Sequence, residues 1–232
     1  MNKTEKFLDL YKQLENEANA HYNLQGEGST IAKLGRRSEF KKIRPELDYI
    51  RDVRNLLTHR PKIGESYAVE PTDSMLGLLE RIIDRIEHPL SAMQIAVPIE
   101  DILSASLDSK ALSSLENMYK RAFSHMPILD DGKVVGVFSG STLMNCILYQ
   151  PINFTEETTF REIRERLTFD QHPSETFRFV SRNELVSNIS DMFDETLRQE
   201  ERIGMIFVTE HGKSEEELLG IITAWDVAAA FH

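Results

Sequence analysis

The sequence has little cysteine and no long apolar run, and both absences limit what the protein can be. Cys146 is the only cysteine among 232 residues, so an internal disulfide and a thiolate metal cluster are excluded. No stretch approaches the roughly 18 consecutive apolar residues that a membrane-spanning helix needs. The first residues carry acids and lysines throughout, unlike a secretory signal peptide. We therefore expect a cytoplasmic protein that does not enter a membrane.

Positive charge is scarce overall and unevenly distributed. The chain has 27 Lys and Arg residues against 38 Asp and Glu residues, a net charge of −11. Residues 1–90 hold 15 residues of each sign, so the whole negative excess lies in residues 91–232. An acidic protein repels polyanions, although residues 33–62 form a locally basic region. This asymmetry predicts two parts with different roles.

Helical periodicity dominates the first part. Apolar residues recur at helical spacing in three segments, at 5–22, 45–59 and 73–87. Pro45 suits the start of the second helix, Pro61 would stop it, and Thr72 is a good cap for the third. The Gly-Glu-Gly-Ser-Thr segment at 26–30 lacks the Gly-Lys-Ser/Thr ending of a phosphate loop, so we interpret it as an ordinary loop. Residues 1–90 are therefore predicted to form an all-α helical domain.

The second part contains an internal repeat. An apolar hairpin pattern around Asp-Asp-Gly includes the segment Gly136-Val-Phe-Ser139-Gly-Ser-Thr142. A second apolar pair includes Gly220-Ile-Ile-Thr223-Ala-Trp-Asp226, 84 residues later. A helical pattern precedes each hairpin, at 110–122 and 184–199. Such a duplication indicates two copies of one structural unit.

This repeat resembles a tandem pair of CBS domains, a regulatory module that commonly binds adenine nucleotides. The resemblance covers about residues 95–231 and is carried by the strand–helix–strand–strand–helix order, by Gly220-Ile-Ile-Thr-x-x-Asp and by Ser124-His125-Met-Pro-Ile-Leu in the first copy. It implies an α+β chain with CBS repeats at 91–151 and 152–232 after the helical bundle. It also implies an adenosine-containing nucleotide, such as ATP, ADP or AMP, as the regulatory ligand.

Within the repeat, Thr223 and Asp226 are candidates for contact with a ribose. A Thr at a strand end and an Asp in the first turn of the next helix direct their oxygens into one cleft, and a carboxylate accepts hydrogen bonds from both ribose hydroxyls. The alternative is that Asp226 only caps the helix. The first copy has Ser139 and Thr142 at these positions, so it lacks the carboxylate and predicts a weaker site. His125 is a candidate for phosphate contact, or else a half-buried structural histidine.

The segment Arg54-Asn55-Leu-Leu-Thr-His59 closes the second predicted helix. It is similar to the Arg-polar-x-x-x-His motif of HEPN domains, small helical bundles found in toxin and antiviral ribonucleases. The resemblance implies a metal-independent endoribonuclease with Arg54, Asn55 and His59 as catalytic residues, because His transfers protons near neutrality and Arg holds phosphate oxygens. It also implies a homodimer with a composite site. At about 100° per residue Arg54 lies on an adjoining face, so we expect a frayed helix end or a second chain to bring it close.

Other interpretations of the helical domain remain open. The helical domain would be non-catalytic if His59 only complements the helix dipole and Arg54 pairs with Glu46, Asp48 or Asp52. In that case the domain would bind nucleic acid or nucleotide without cleavage, or would only dimerise. The seven histidines show no paired ligand spacing, so no metal is predicted. The sequence thus predicts a nucleotide-sensing regulator that controls a HEPN-like domain, with RNA as candidate substrate. The alternative is a non-catalytic sensor scaffold that dimerises or recruits a partner.

Overall fold

The computed structural model describes residues 2–24, 26–59, 67, 69–148, 155–172, 175–198 and 202–230. The chain divides into two compact units, Met1–Leu90 and Ser91–His232. The predicted boundary between the repeats, at 151/152, lies outside the described residues, as does Pro61. Over the described ranges no helix has both the length and the apolar character needed to cross a membrane.

The first unit is built from helices around one apolar core. Its helices are α1 (Lys3–Tyr22), α2 (Thr30–Leu34), α3 (Arg44–His59) and α4 (Asp73–Glu87), with a 3-10 helix at Ser38–Ile43. Each long helix buries one apolar stripe, represented by Phe7 and Leu14 on α1, Ile50 on α3, and Leu79 and Ile86 on α4. The three predicted helices of an all-α bundle are therefore confirmed.

Capping groups define where these helices begin. The Asn2 side chain accepts from the Glu5 backbone N–H at 2.8 Å while the Glu5 carboxylate accepts from the Asn2 N–H at 3.1 Å, a reciprocal pair that starts α1. Thr72 caps α4 through the Met75 N–H, as predicted. Helix α2 and the 3-10 helix that follows it were not predicted, because neither is long enough to show an apolar period.

The described residues of the second unit form two small sheets and five α-helices, with short 3-10 helices between them. Its strands are β1 (Val97–Pro98), β2 (Ala105–Ser106), β3 (His125–Asp130), β4 (Lys133–Ser139), β5 (Glu175–Ser181), β6 (Arg202–Thr209) and β7 (Gly220–Ile222). Its helices are α5 (Ala92–Ile95), α6 (Ala111–Lys120), α7 (Gly140–Leu148), α8 (Val186–Arg198) and α9 (Ala224–Ala230). The sheet orders are β2-β3-β4 and β1-β7-β6-β5.

The internal repeat is visible in the order and pairing of these elements. The first copy runs β2-α6-β3-β4-α7 and the second runs β5-α8-β6-β7-α9. In each copy the first strand is parallel to the second, and the second is antiparallel to the third. Asp131 and Gly132 take positive φ values of 49° and 74° in the tight turn between β3 and β4, as the Asp-Asp-Gly hairpin signal requires. The predicted fold, helices followed by a two-copy α/β module, is therefore confirmed.

Each copy also packs against a short segment of chain that then continues into the other copy. The segment with α5 and β1 joins the second copy, where the Ala92 N–H donates to the Glu184 carbonyl at 2.7 Å. The segment after residue 154 joins the first copy, where the Phe160 N–H donates to the Ser109 carbonyl at 3.1 Å. This exchange links the two copies into one α/β unit.

The glycines of the repeated motif permit this close approach. A Cβ on Gly220 would lie 2.8 Å from the Val97 carbonyl oxygen, and a Cβ on Gly136 would collide with the Leu167 carbonyl oxygen. In both copies, the backbone of the segment that crosses between the copies contacts the third strand at the glycine. A side chain at that position would occupy the same space. The motif glycine is therefore a packing requirement of the fold.

Candidate ligand cleft

A cleft of about 590 Å³ opens in the second unit. Its walls come from the loop before β3, the start of β6, the end of β7 with the start of α9, and residues 97–103. Three of the residues predicted to bind a ligand line it, namely Thr223, Asp226 and His125. Both copies of the repeat therefore contribute to one cleft, of a size that holds a small organic ligand.

Thr223 and Asp226 form a closed hydrogen-bonded pair at the edge of the cleft. One carboxylate oxygen of Asp226, Oδ2, accepts from both the backbone N–H and the hydroxyl of Thr223, each at 2.7 Å. Asp226 thus caps the start of α9, as the alternative interpretation required. Its second oxygen, Oδ1, has no hydrogen-bond partner among the described residues, and both side chains are half-buried. The cap and a contact with a ligand are therefore compatible.

His125 is held by an acidic residue deeper in the cleft. Its Nε2 lies 2.9 Å from Oε2 of Glu175, and its Nδ1 lies 2.8 Å from the Ser124 hydroxyl. A carboxylate oxygen only accepts, so Nε2 carries a hydrogen. That nitrogen is committed to Glu175, which leaves contact with a ligand to the edge of the ring and to Ser124.

Glu175 is the centre of this polar group. Its side chain is only 3% exposed, and its other oxygen contacts the guanidinium of Arg202. Burial alone would raise the pKa of Glu175, but the hydrogen bond and charge of His125, followed by those of Arg202, outweigh it and hold the pKa below its usual value. The carboxylate is therefore ionised at neutral pH. Glu175 and Arg202 were not identified in the sequence, because they are far from His125 in the chain and form no local motif.

Ser139 and Thr142 do not line the cleft. The Ser139 N–H donates to the Thr142 hydroxyl at 3.2 Å, and the two side chains are 2% and 0% exposed. His172 lies above them, with its Nδ1 3.5 Å from the Ser139 hydroxyl. The Asn145 side chain holds this covering segment by donating to the Gln171 carbonyl at 3.0 Å. The structure thus gives Ser139 and Thr142 a capping role and no access to a ligand, contrary to their expected contact with one.

Two exposed aromatic residues border the cleft. Trp225, in the first turn of α9, is 84% exposed, and Phe123, in the loop before β3, is 45% exposed. Phe177, by contrast, is buried and packs against Phe169 and Phe207. Trp225 was overlooked in the sequence although it is the only tryptophan and lies between the two motif residues.

In the first unit, the structure brings Arg54, Asn55 and His59 together at the end of α3. The Nη1 atom of Arg54 lies 3.3 Å from Nε2 of His59 and 3.4 Å from Oδ1 of Asn55. The expectation that Arg54 would need a frayed helix end or a second chain was wrong, because its long side chain reaches along the helix. A guanidinium only donates, so Nε2 of His59 is the acceptor in this contact.

Arg54 is held by an aromatic ring and not by an acid. Its guanidinium lies 5.5 Å from the ring centroid of Tyr11. Two of the three acids expected to pair with it have another partner, since Asp48 lies 2.9 Å and Asp52 3.8 Å from Arg51. In the part of the chain that the structure describes, Arg54 has no carboxylate within ion-pair distance. Its positive charge is thus not neutralised by a neighbouring acid.

The described residues contain no group of three or more His, Cys, Asp or Glu side chains placed to hold a metal ion. The two candidate places differ in the side chains that they offer to a ligand. In the cleft these are carboxylates, one guanidinium and two aromatic rings; at the end of α3 they are a guanidinium, an amide and an imidazole.

Comparison with known proteins bears on the second unit. The family model of the CBS domain matches residues 93–149. No curated protein matches the chain significantly. Several solved structures of CBS proteins are similar to this one at low identity.

Three of these structures illustrate the level of similarity. The CBS domain pair of protein MJ0100, in complex with 5′-methylthioadenosine and S-adenosyl-L-methionine, is 16% identical, covers 62% of this chain and 97% of its own, and has a TM-score of 0.43. CBSX2 in complex with AMP is 19% identical, with 60% and 94% covered and a TM-score of 0.43. The acetoin utilization protein AcuB from Vibrio cholerae is 17% identical, with 62% and 90% covered and a TM-score of 0.45. Similarity at this level does not bear on the ligand of the present cleft.

The family match covers the first copy together with the segment that crosses to the second. The second copy repeats the strand order and pairing of the first, with the ending Gly220-Ile-Ile-Thr-x-x-Asp. Residues Ser91–His232 therefore have the architecture of a CBS-domain pair, which follows an N-terminal helical unit.

Proposed function

We propose that the cleft binds an adenosine-containing ligand whose ribose is held by Asp226. The observation that carries this proposal is the geometry of the Asp226 carboxylate, which uses one oxygen for the helix cap and leaves Oδ1 without a partner among the described residues, at the edge of a cleft of about 590 Å³. A carboxylate in that setting accepts hydrogen bonds from the 2′- and 3′-hydroxyls of a ribose. Half-burial makes such charge-assisted hydrogen bonds stronger than they would be in open water.

Ligand binding in the cleft is proposed to regulate the helical unit of the same chain. The helical unit carries the cluster of Arg54, Asn55 and His59, which matches the chemistry of RNA cleavage without a metal. The Nε2 atom of His59, which accepts from Arg54 in this contact, is placed to take a proton from a ribose 2′-hydroxyl. The guanidinium of Arg54 suits the charge that develops on the phosphate. Binding of RNA would turn Arg54 from His59 to the phosphate and so free Nε2.

We propose that this unit acts as a homodimer, in which two α3 helices would form one composite site. Two exposed apolar residues of α3 support a self-contact, since Tyr49 is 63% and Leu56 40% exposed. The same two residues also support the second candidate function. In that case the helical unit would only dimerise or recruit a partner, and the protein would be a non-catalytic sensor scaffold.

An RNA cleavage assay in EDTA separates the two candidates. We expect the wild-type protein to cleave, and we expect His59→Ala to lose cleavage while it keeps its fold. His88→Ala is the matched control, because His88 is also an exposed histidine at the end of a helix and should leave cleavage unchanged. If the wild-type protein cleaves no RNA with or without an adenosine ligand, while sedimentation shows a dimer, the scaffold function is favoured.

Binding in the cleft is tested separately by thermal shift with adenosine ligands. We expect stabilisation of the wild-type protein and a much smaller shift for Asp226→Asn, because an amide oxygen still caps α9 but no longer carries a charge. An equal shift in the two proteins would remove Asp226 from the proposed site.

A further inference from the structure

We infer that the cleft selects adenosine ligands whose 5′ substituent is uncharged or positively charged, and discriminates against those that carry a phosphate chain. This inference depends on the proposed function of the cleft and specifies the class of ligand. It is carried by the charges that line the cleft, by the pairing of its cations and by its exposed aromatic rings.

The lining of the cleft has an excess of negative charge. Among the described residues that line it, Asp101, Glu175 and Asp226 are carboxylates, whereas Arg202 is the one guanidinium and no lysine is present. His125 is the only other side chain there that would add positive charge. A phosphate chain brings two to four negative charges, depending on its length, into a space that already holds more carboxylates than cations. Charges within such a partly enclosed space are weakly screened, so repulsion between the phosphates and these carboxylates lowers the affinity.

Both basic groups of the cleft are already engaged by the same acid. Arg202 contacts one oxygen of Glu175, and His125 Nε2 lies 2.9 Å from the other. Glu175 is ionised, since its pKa lies below the usual value. A phosphate that drew either group away would leave Glu175, whose side chain is only 3% exposed, with one partner fewer, and this loss costs binding free energy.

The carboxylate of Asp226 opposes the binding of a phosphate at the start of α9. The carboxylate of Asp226 accepts from the Thr223 N–H at 2.7 Å, so a negative charge already stands at the position where a phosphate would approach the first turn. Asp101 also lines the cleft, is exposed, and has no ion-pair partner among the described residues. A ligand that places positive charge near these two acids would be favoured.

The exposed aromatic rings add to the same preference. Trp225 is 84% exposed at the edge of the cleft, and no cation or ring contacts it within the part of the chain that the structure describes. The face of an indole attracts cations, including sulfonium and quaternary ammonium groups. Phe123 already uses one face for the guanidinium of Arg121, at 5.4 Å from its centroid, which leaves Trp225 as the principal free ring.

Isothermal titration calorimetry of the full chain in a buffer without divalent cations tests this inference. The probes are adenosine, 5′-methylthioadenosine, S-adenosylmethionine, AMP and ATP. We expect ATP to bind at least about tenfold more weakly than adenosine, AMP to fall between them, and S-adenosylmethionine to bind at least as tightly as adenosine.

Variants test whether the residues that line the cleft cause the difference in affinity between adenosine and ATP. Asp101→Asn should narrow the ratio between adenosine and ATP affinities by about threefold or more, because it removes one uncompensated negative charge. Asp194→Asn removes an exposed acid of α8 that does not line the cleft, so the ratio should remain that of the wild-type protein. Trp225→Ala should weaken binding of S-adenosylmethionine more than that of adenosine.

Two results would overturn the inference while the proposed function stands. One is ATP binding as tightly as adenosine, with both weakened by Asp226→Asn. The other is a preference for adenosine that Asp101→Asn leaves unchanged. Failure of every adenosine ligand to bind would overturn the proposed function and the inference together.

Discussion

In the first copy of the repeat, Ser139 and Thr142 hydrogen-bond to each other beneath His172, whereas in the second copy Thr223 and Asp226 stand at the edge of an open cleft. The backbone arrangement is the same in both copies, with a motif glycine on the third strand and a cap on the next helix. The difference comes from what lies above that cap. A shared scaffold thus provides the same position in both copies, and the copies differ there in the covering segment and in one carboxylate.

The covering segment in the first copy is held by specific contacts. The 3-10 helix Phe169–Gln171 precedes His172, and the Asn145 amide fixes it through the Gln171 carbonyl. Burial lowers the pKa of His172, so it packs as a neutral ring above the two hydroxyls. In the second copy, the matching place is open and is lined by the charged group of His125, Glu175 and Arg202.

The largest expected effect concerns the feature that the two copies share. Gly136→Ala and Gly220→Ala should each lower the free energy of unfolding by about 3 kcal/mol or more, because the added methyl group meets a backbone carbonyl that cannot easily move. Urea denaturation followed by circular dichroism measures the change.

Gly140→Ala provides the control for this experiment. Gly140 opens α7, has no atom within 4 Å of a Cβ placed there, and corresponds to Ala224 in the second copy. This variant should be as stable as the wild-type protein or up to about 1 kcal/mol more stable. If Gly140→Ala were as destabilising as Gly136→Ala, the requirement for glycine would not come from the crossing segment.

The next effect concerns the feature that differs between the copies. Asp226→Asn should weaken binding of adenosine by about tenfold or more, because hydrogen bonds to a charged acceptor are replaced by weaker ones. Thr142→Val, at the corresponding position of the first copy, should lower stability by about 1 kcal/mol and leave the affinity unchanged. Calorimetry and urea denaturation of both variants give the two quantities. A loss of affinity in Thr142→Val would mean that the covered copy also binds.

The smallest effect is a dependence of stability on pH that originates in the first copy. The pKa of His172 is lowered from 6.5 by burial, so the folded protein binds fewer protons than the unfolded chain when the pH falls below 6.5. Stability is therefore highest above that pH and should decline as the pH falls below it. Thermal denaturation between pH 7.5 and pH 5.5 measures this decline.

His172→Gln should flatten the decline, since glutamine does not titrate, and His88→Gln should leave it as in the wild-type protein because His88 is exposed. A decline of equal size in His172→Gln would assign the acid sensitivity to another group.

The parts of the fold that follow from local signals could be predicted from the sequence. The helical spacing of apolar residues predicted the three long helices, and Asp131-Gly132 predicted the hairpin. Each of these signals involves only a few neighbouring residues. The five-residue helix α2 shows no period and was missed. The exchange of segments between the copies was also missed, since it depends on contacts between residues such as Ala92 and Glu184 that are far apart in the chain.

The candidate site shows the same division. Thr223 and Asp226 were predicted as ligand contacts because the strand end and the helix start are adjacent in the chain; the structure places both residues on the cleft, and their contact with a ligand stays a prediction. The burial of Ser139 and Thr142 was not foreseen, because their cover comes from residues about 30 positions later. Glu175 and Arg202 were missed for the same reason, and the reach of Arg54 to His59 was misjudged because helical angle alone ignores the length of the side chain.

The most direct test of the central claim is the number of adenosine ligands bound per chain. Calorimetric titration of the wild-type protein with 5′-methylthioadenosine should give one site, and Asp226→Asn should lose it while Thr142→Val retains it. Two sites of similar affinity, or one site that persists in Asp226→Asn, would contradict the proposal that only the open second copy binds a ligand.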